Sequence, residues 1–352
     1  MSGQFAGSGP VQERHRFDVA GLEAWLARHL AGFAGPLQVA QFKGGQSNPT
    51  FLLGTPTQSY VLRRKPPGTL LPSAHAIERE YRVMTALRAT DVPVPRTFVL
   101  CDDASVIGTA FYVMAHVPGR ILWDPALPDM APAERAAIFD SMNRVIAALH
   151  RVDIGRAGLA DYGKPGNYFA RQISRWTAQY RASETEPIDA MERLIEWLPQ
   201  HIPADDATAL VHGDYRLDNL VFHPSEPRVV AVLDWELSTL GHPMADFAYH
   251  AMAWDMPTGE WRGLAGLDLA ALGIPSAQAY VARYCERVGV DVPARATWDF
   301  YVAYNLFRGA AISQGILRRA FDGSAASAHA LEAGARARAV AEAGWRRAGA
   351  ET

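Results

Sequence analysis

Two short stretches hold most of the residues that could do chemistry: His212-Gly213-Asp214-Tyr215-Arg216-Leu217-Asp218-Asn219 and Val232-Leu233-Asp234-Trp235-Glu236. The first places a carboxylate and an amide on one tight loop, spaced H-x-D-x4-N, where both can face the same small volume. The second adds a carboxylate at the end of the β-branched run VVAVLD. One carboxylate can orient a hydroxyl group and take its proton, and further oxygen ligands can hold Mg²⁺. With cationic donors for the phosphates, these are the groups that phosphoryl transfer from ATP requires. The bland alternative is a hairpin with capping aspartates. H-G-D alone does not decide between the two; Asn219 in register and Asp234 at a strand end favour the chemical reading.

Further candidates lie upstream. The turn Gly44-Gly45-Gln46-Ser47-Asn48 falls between two strand candidates and can lay backbone amides over phosphates, although by itself it reads as a hairpin turn. In YVLRRK, Val61 and Arg63 share one strand face while Leu62 and Arg64 take the other. Lys65 shares the face of Arg63, so either can offer a cation there. A following helix offers Glu78 and Glu80 as the partner of that cation. His75, His116, His150, His242 and His250 form no ligand spacing.

The elements that must position these residues fall into two textures. After a polar tail, Leu22, Trp25, Leu26 and Leu30 recur at helical spacing. Short β-rich stretches follow (LQVAQFKG, TFLLGT, SYVLRRK), punctuated by turn residues as in an antiparallel meander. A helix is expected from Ser73 to Ala89, and TAFYVMAHV at 109–117 reads as a strand ending at Pro118-Gly119. Beyond Ala131 the periodicity is helical over 132–150 and 168–198. A β-like island follows (ATALVHGD, LVFHP, RVVAVLDWE), then helices resume from Asp246 and close with an Ala- and Arg-rich helix from about Ala325. The expected organisation is α+β: a tail (1–16), a strand-rich N-lobe that binds nucleotide (17–118), and a mainly helical C-lobe (119–352).

The composition sets outer bounds. At 352 residues the chain can bury a sizeable core, and 49% hydrophobic with 20% charged residues is ordinary for a globular protein. A formal net charge of −3 gives no reason to expect nucleic acid as a partner. Cys101 and Cys285 are far apart and read as free thiols of a reducing compartment. No apolar run approaches the ~20 residues of a membrane span, and the polar tail MSGQFAGSGPVQERHRF lacks the apolar core of a signal peptide. A cytoplasmic protein is the default expectation; nothing in the sequence sets its oligomeric state.

H-x-D-x4-N followed by a strand-end aspartate resembles the catalytic loop and D-F-G segment of protein kinases. In detail it is more similar to the aminoglycoside phosphotransferase and choline kinase superfamily, where the loop reads H-G-D-x-x-x-x-N and the metal aspartate precedes an aromatic and an acidic residue. The stretches YVLRRKPPGTLLPSAHAIEREYRV and NYFARQISRWTAQY resemble, more narrowly, the kinase-like domain fused to some acyl-CoA dehydrogenases, here read as standing alone. The resemblance runs from about Leu37 to about Tyr249. It implies a two-lobed protein-kinase-like fold, with ATP and Mg²⁺ as cofactors and a small-molecule hydroxyl acceptor. By the same resemblance Asp214 is the catalytic base, and Asn219 and Asp234 are Mg²⁺ ligands. His212 supports the loop, and Asp246 ties that loop to the following helix. Ser47 and Asn48 belong to the phosphate turn, and Glu80 fits the family register as the partner of Arg63. Met114 lies at the back of the adenine pocket, with Ala115 and Val117 reading adenine through their backbone. Aligned with the V-A-I-K strand of protein kinases, Arg63 takes the place of the phosphate-binding lysine, with Lys65 the runner-up. Many members of the superfamily tolerate arginine there, although a guanidinium is not equivalent to an ammonium.

Rival readings are weaker. A protein kinase needs a longer activation segment than the dozen residues separating Asp234 from Asp246. A silent nucleotide-binding scaffold sits poorly with intact Asp214, Asn219 and Asp234. Neither G-x-S-x-G nor a G-x-G-x-x-G junction supports a hydrolase or a dehydrogenase. For the acceptor, Arg171, Arg175 and Arg181, with Arg308, Arg318 and Arg319 beside Tyr301, Tyr304 and Phe307, suggest a basic and aromatic surround. That suits a hydroxyacyl-CoA or hydroxy acid better than an aminoglycoside or amino-alcohol, which is the alternative.

Overall fold

The computed structural model describes residues 7–43, 48–66, 76–258, 263–323 and 330–349. The strands are β1 (Ser8–Gly9), β2 (Gln38–Phe42), β3 (Thr50–Gly54), β4 (Ser59–Arg64), β5 (Thr97–Cys101), β6 (Phe111–Ala115), β7 (Ala209–Val211), β8 (Leu220–Phe222), β9 (Val229–Val232) and β10 (Thr239–Gly241). The helices are α1 (Val19–His29), α2 (Ile77–Leu87), α3 (Pro132–His150), α4 (Tyr168–Ser183), α5 (Asp189–Trp197), α6 (Pro243–Ala251), α7 (Leu269–Leu272), α8 (Ala277–Val288), α9 (Arg295–Phe321), α10 (Ala330–Ala335) and α11 (Ala337–Ala348). The chain falls into two units: Met1–Ala160 with Arg216–Ser238 and Asp268–Pro275, and Asp161–Tyr215 with Thr239–Leu267 and Ser276–Thr352. The first therefore runs on past residue 118 to Ala160.

In the first unit, β1 to β6 form one antiparallel sheet in the order β1-β2-β3-β4-β6-β5. Alternation in β3 sends Phe51 and Leu53 into a core shared with Leu22 and Leu26 of α1 and with Leu62, Phe111 and Val113. The Asp18 carboxylate starts α1 by accepting the Gly21 amide at 2.9 Å. In β4 every residue from Tyr60 to Arg64 is buried, so both faces of this strand are covered and its two arginines must find partners. The pair β8–β9 belongs to this unit as well. Where the chain passes that pair, a Cβ on Gly119 would meet the Phe222 carbonyl oxygen at 2.3 Å, so only glycine fits.

The second unit is built around α9, 27 residues long, which packs against α4, α6, α10 and α11. Its core is aromatic: Phe247 stacks on Tyr284 at 3.8 Å, and Phe169 meets Phe300, Tyr301 and Tyr304.

Several expectations change. The β-like island is two separate pairs, β7 with β10 in the second unit and β8 with β9 in the first. Strands β1, β5 and β10 have no counterpart in the sequence reading: β1 lies in the segment read as a tail and pairs with β2, TFVLC comes just after Pro93 and Pro95, and TLG is too short to alternate. The strand expected at 109–117 forms only over Phe111–Ala115. The terminal helix is two helices parted at Arg336. Tyr301, Tyr304 and Phe307, expected as part of an acceptor surround, are buried core side chains of α9.

Candidate active site

The loop that carries Asp214 is held from both sides by its own unit. Asp246 on α6 accepts the amides of His212 and Gly213, at 2.7 and 2.8 Å, on its two carboxylate oxygens. Gly213 has φ of 83°, a left-handed conformation that suits glycine, and this turns the chain so that both amides reach one carboxylate. Arg308 on α9 donates from Nη2 to the Gly213 carbonyl at 2.6 Å. The buried His212 ring accepts the Asp214 amide on Nδ1 at 3.2 Å. Thus the loop backbone at Asp214 is fixed by three side chains, from α6, from α9 and from the loop itself, and Asp214 is half-buried. Tyr249, one helical turn beyond Asp246 on the same face of α6, donates its hydroxyl to Asp214 Oδ1 at 2.6 Å. Asp214 is already hydrogen-bonded to a hydroxyl group, the arrangement a general base needs toward an alcohol.

In the first unit, the β8–β9 pair sets the other two polar residues side by side. Leu220 lies opposite Val232, and the Leu233 amide donates to the Asn219 carbonyl at 2.8 Å. Asn219 closes a 3-10 turn and is buried, and Asp234 follows Leu233 directly with φ of 66°. A non-glycine residue in this conformation is uncommon outside turns and functional sites, and Asp tolerates it better than most residues.

Asp234 belongs to a buried charge cluster centred on Arg63. The guanidinium reaches Asp234 at 2.6 Å, Glu80 at 3.2 Å and Glu236 at 3.5 Å. Glu80 also accepts from Asn48 Nδ2 at 3.0 Å and from the Tyr112 hydroxyl at 3.1 Å. Tyr112 gets there because β6 places it opposite Arg63 in the ladder. Burial pushes the Glu80 carboxyl up to about 7, and Asp234 and Glu236 add to the push while Arg63 opposes it. For Arg63, burial works against the charge, but Glu80, Asp234 and Glu236 outweigh it and hold the guanidinium protonated. The neighbouring cations go elsewhere. Arg64 points to the other face, bonding the Ile107 and His15 carbonyls at 3.1 and 3.0 Å, while the more exposed Lys65 pairs with Glu78 at 3.1 Å. The structure thus pairs Arg63 with Glu80 and Lys65 with Glu78.

Of the remaining candidates, Met114 is buried on β6, and the Ala115 amide donates to the Arg96 carbonyl at 2.8 Å. Val117 lies two residues past the end of β6. Ser47 lies outside the described residues. Sequence reasoning missed Tyr249, Tyr112 and the role of Arg308. Tyr249 carried a signal, since it stands three residues after Asp246 in a helical segment.

The polar groups fit Mg²⁺ held with a nucleotide. Among the described residues no cluster of three or more His, Cys, Asp or Glu is arranged to hold a metal alone. Mg²⁺ bound with nucleotide phosphates takes only one or two carboxylates, the rest of its shell being phosphate and water, and Asp234 with Asn219 is such a donor set. Three carboxylates against one guanidinium leave a surplus of negative charge that a divalent cation would offset.

This fold and these residues define a small-molecule kinase of the protein-kinase-like α+β class. Residues 38–301 match the Phosphotransferase enzyme family, and the chain belongs to that family. It is 48% identical over 339 residues to mouse "Acyl-CoA dehydrogenase family member 10", covering 96% of this chain and 32% of that protein. It is 45% identical over 314 residues to human "Acyl-CoA dehydrogenase family member 11", covering 88% of this chain and 40% of that protein. The chain thus spans well under half the length of these two curated relatives. A crystal structure from Ralstonia eutropha, provisionally described as an aminoglycoside phosphotransferase, superposes with a TM-score of 0.88 at 61% identity, covering 95% of this chain and 98% of that one. An aminoglycoside phosphotransferase in ternary complex with ADP and hygromycin B shares the fold at 13% identity, with a TM-score of 0.61 over 93% of this chain and 98% of that one.

Proposed function

We propose that this chain transfers the γ-phosphate of ATP to the hydroxyl of a small hydroxylated acyl compound, a hydroxyacyl-CoA or a hydroxy acid. The observation that carries the phosphotransfer reading is Asp214 itself: a backbone fixed by Asp246, Arg308 and His212, and a carboxylate accepting a hydroxyl at 2.6 Å. Asp214 takes the proton of the acceptor hydroxyl as its oxygen bonds to phosphorus and ADP leaves. Bound Mg²⁺ would neutralise charge on the phosphates, and Asn219 and Asp234 are the side chains that would hold it. Arg63, fixed by Glu80, supplies a donor for phosphate oxygens, and Asn48, with Ser47 next to it in the sequence, is the further phosphate-binding candidate. Met114, Ala115 and Val117 form the adenine edge.

The acceptor class rests on the similarity to parts of acyl-CoA dehydrogenase family members 10 and 11. The surface arginines contribute less than their number suggests, because Arg181 is paired with Glu192 and Arg318 with Asp322. A competition with Mg-ATP tests the class: hydroxyacyl-CoA compounds, hydroxy acids, choline and aminoglycosides at equal concentration, read as phosphorylated products. The hydroxylated acyl compounds are expected to give the highest kcat/KM. An aminoglycoside in that position would refute the acceptor assignment and leave the phosphotransfer reading standing.

A further inference from the structure

Arg308 is the buried cation whose surroundings the fold alone does not explain. It lies on α9, is 7% exposed, and stands over the rings of Tyr249 at 5.0 Å and Trp176 at 5.6 Å. Of its five N–H groups, one bonds to the Gly213 carbonyl. Among the described residues no carboxylate lies within ion-pair distance of it, and no second carbonyl accepts from it. Other buried arginines are better supplied. Arg63 meets three carboxylates, Arg135 bonds the carbonyls of Leu127, Leu272 and Pro128, and Arg64 bonds two carbonyls. Beside Arg308, the indole Nε1–H of the buried Trp176 has no acceptor among the described residues. Burial works against the Arg308 charge, and Tyr304, Tyr249, Tyr168 and the Asp214 carboxylate favour it from a distance without pairing with it directly. A buried guanidinium with most of its donors unmatched, next to a buried donor without its acceptor, is a place that an anionic ligand would complete.

The place of this surplus matters. Gly213 precedes Asp214 in the chain, and Tyr249 presents its ring to Arg308 and its hydroxyl to Asp214. Guanidinium and carboxylate therefore flank the same phenol. We propose that Arg308, with the Trp176 N–H, is the anion-recognition element of the acceptor site, and that the acceptor carries a carboxylate or phosphate on the same molecule as its hydroxyl. This rests on the reading of Asp214 as the base. An arginine fork suits either anion, and the aromatic rings on it exclude water and hold its plane.

The test uses the full chain with 3-hydroxybutyrate, 3-hydroxybutyryl-CoA and the uncharged 1,3-butanediol, in calorimetric titrations and in ADP formation with Mg-ATP. The wild type is expected to favour an anionic compound over the diol by about tenfold or more, as a charged hydrogen-bonded pair predicts. In Arg308→Met that ratio should fall toward one, and in Arg308→Lys it should recover in part. Trp176→Phe, which keeps a ring under the guanidinium, should lower the ratio less. Melting curves identify any variant that fails to fold, and Arg308→Lys then carries the comparison. Binding of the free acid points to a carboxylate; binding of the thioester alone, competed by CoA, points to phosphate. An anion preference that survives unchanged in Arg308→Met and Arg308→Lys, or a wild type that binds the diol as tightly as both anionic compounds, overturns the proposal. Asp214→Asn separates the two ideas: it should keep anion binding while losing ADP formation. Turnover retained in that variant would defeat the reading of Asp214 and leave the Arg308 result intact.

Discussion

Arg63 and Arg308 are both buried arginines beside residues assigned to the reaction, yet their surroundings are opposite. Arg63 faces Glu80, Asp234 and Glu236, three carboxylates to one guanidinium, whereas Arg308 faces aromatic rings and one carbonyl. The first leaves a surplus of negative charge, and the second leaves a guanidinium with no directly paired carboxylate among the described residues. Burial opposes the Arg308 charge, while Tyr304, Tyr249, Tyr168 and Asp214 favour it from a distance. Buried charge is costly when uncompensated, and under the proposed function a ligand of the opposite sign would complete each site. The first fits a divalent cation and the second an anionic acceptor.

The contrast can be broken or sharpened by variants. Arg63→Met should have the largest effect on stability, because Glu80 keeps its buried carboxylate and loses its counter-charge. Breaking such a pair costs on the order of 3–5 kcal/mol, and urea unfolding without nucleotide would measure it; a loss under ~1 kcal/mol would mean that the cluster does not need its guanidinium. Asp234→Ala should abolish the Mg²⁺-dependent tightening of ATP binding, and Asn219→Ala should weaken it. Calorimetry with and without Mg²⁺ decides this, and an unchanged metal effect in Asp234→Ala would remove that residue from the metal site. Tyr249→Phe keeps the ring under Arg308 and removes the bond to Asp214, so kcat should fall by about tenfold (~1.4 kcal/mol) with ATP affinity unchanged. Equal losses in kcat and in ATP binding would mean that Tyr249 only supports the fold.

A further effect concerns pH. His250 is buried against the Tyr280 hydroxyl at 2.7 Å, and burial lowers its pKa from 6.5 to about 4, with Asp246 opposing. Its folded form stays neutral where the unfolded chain already takes up a proton. Its contribution is therefore fully present above pH ~6.5 and is lost as pH falls toward ~4. His250→Gln should flatten that part of the dependence of Tm on pH, and an unchanged slope would place the acid sensitivity elsewhere.

How much of this was legible in the sequence follows from distance along the chain. Asp214, Asn219 and Asp234 sit within one short segment, and their spacing carries the chemistry. Arg63 and Glu80 were legible through the resemblance; strand alternation alone left Arg63 and Lys65 open, and the helix left Glu78 and Glu80 open. The choice between Glu78 and Glu80 was settled by burial, since Glu80 faces the core under Tyr112 and Asn48. Arg308 stands 95 residues from Gly213. Its one local signal was an arginine inside the apolar helical run AYNLFRGA, and no period says what it meets. The tyrosines and Phe307 were misplaced for a related reason: composition shows a basic and aromatic segment, but the turn of α9 decides that Tyr301, Tyr304 and Phe307 go to the core.

The central claim is that Asp214 is the base of an ATP-dependent transfer to a hydroxyl. The most direct measurement is single-turnover transfer to the best acceptor by Asp214→Asn, alongside calorimetry of Mg-ATP binding. Loss of the base and of hydroxyl orientation should remove roughly 3–6 kcal/mol of transition-state stabilisation, several orders of magnitude in rate, with ATP affinity nearly unchanged. A variant that keeps more than about a tenth of the wild-type rate, a loss of less than ~1.4 kcal/mol, would contradict it.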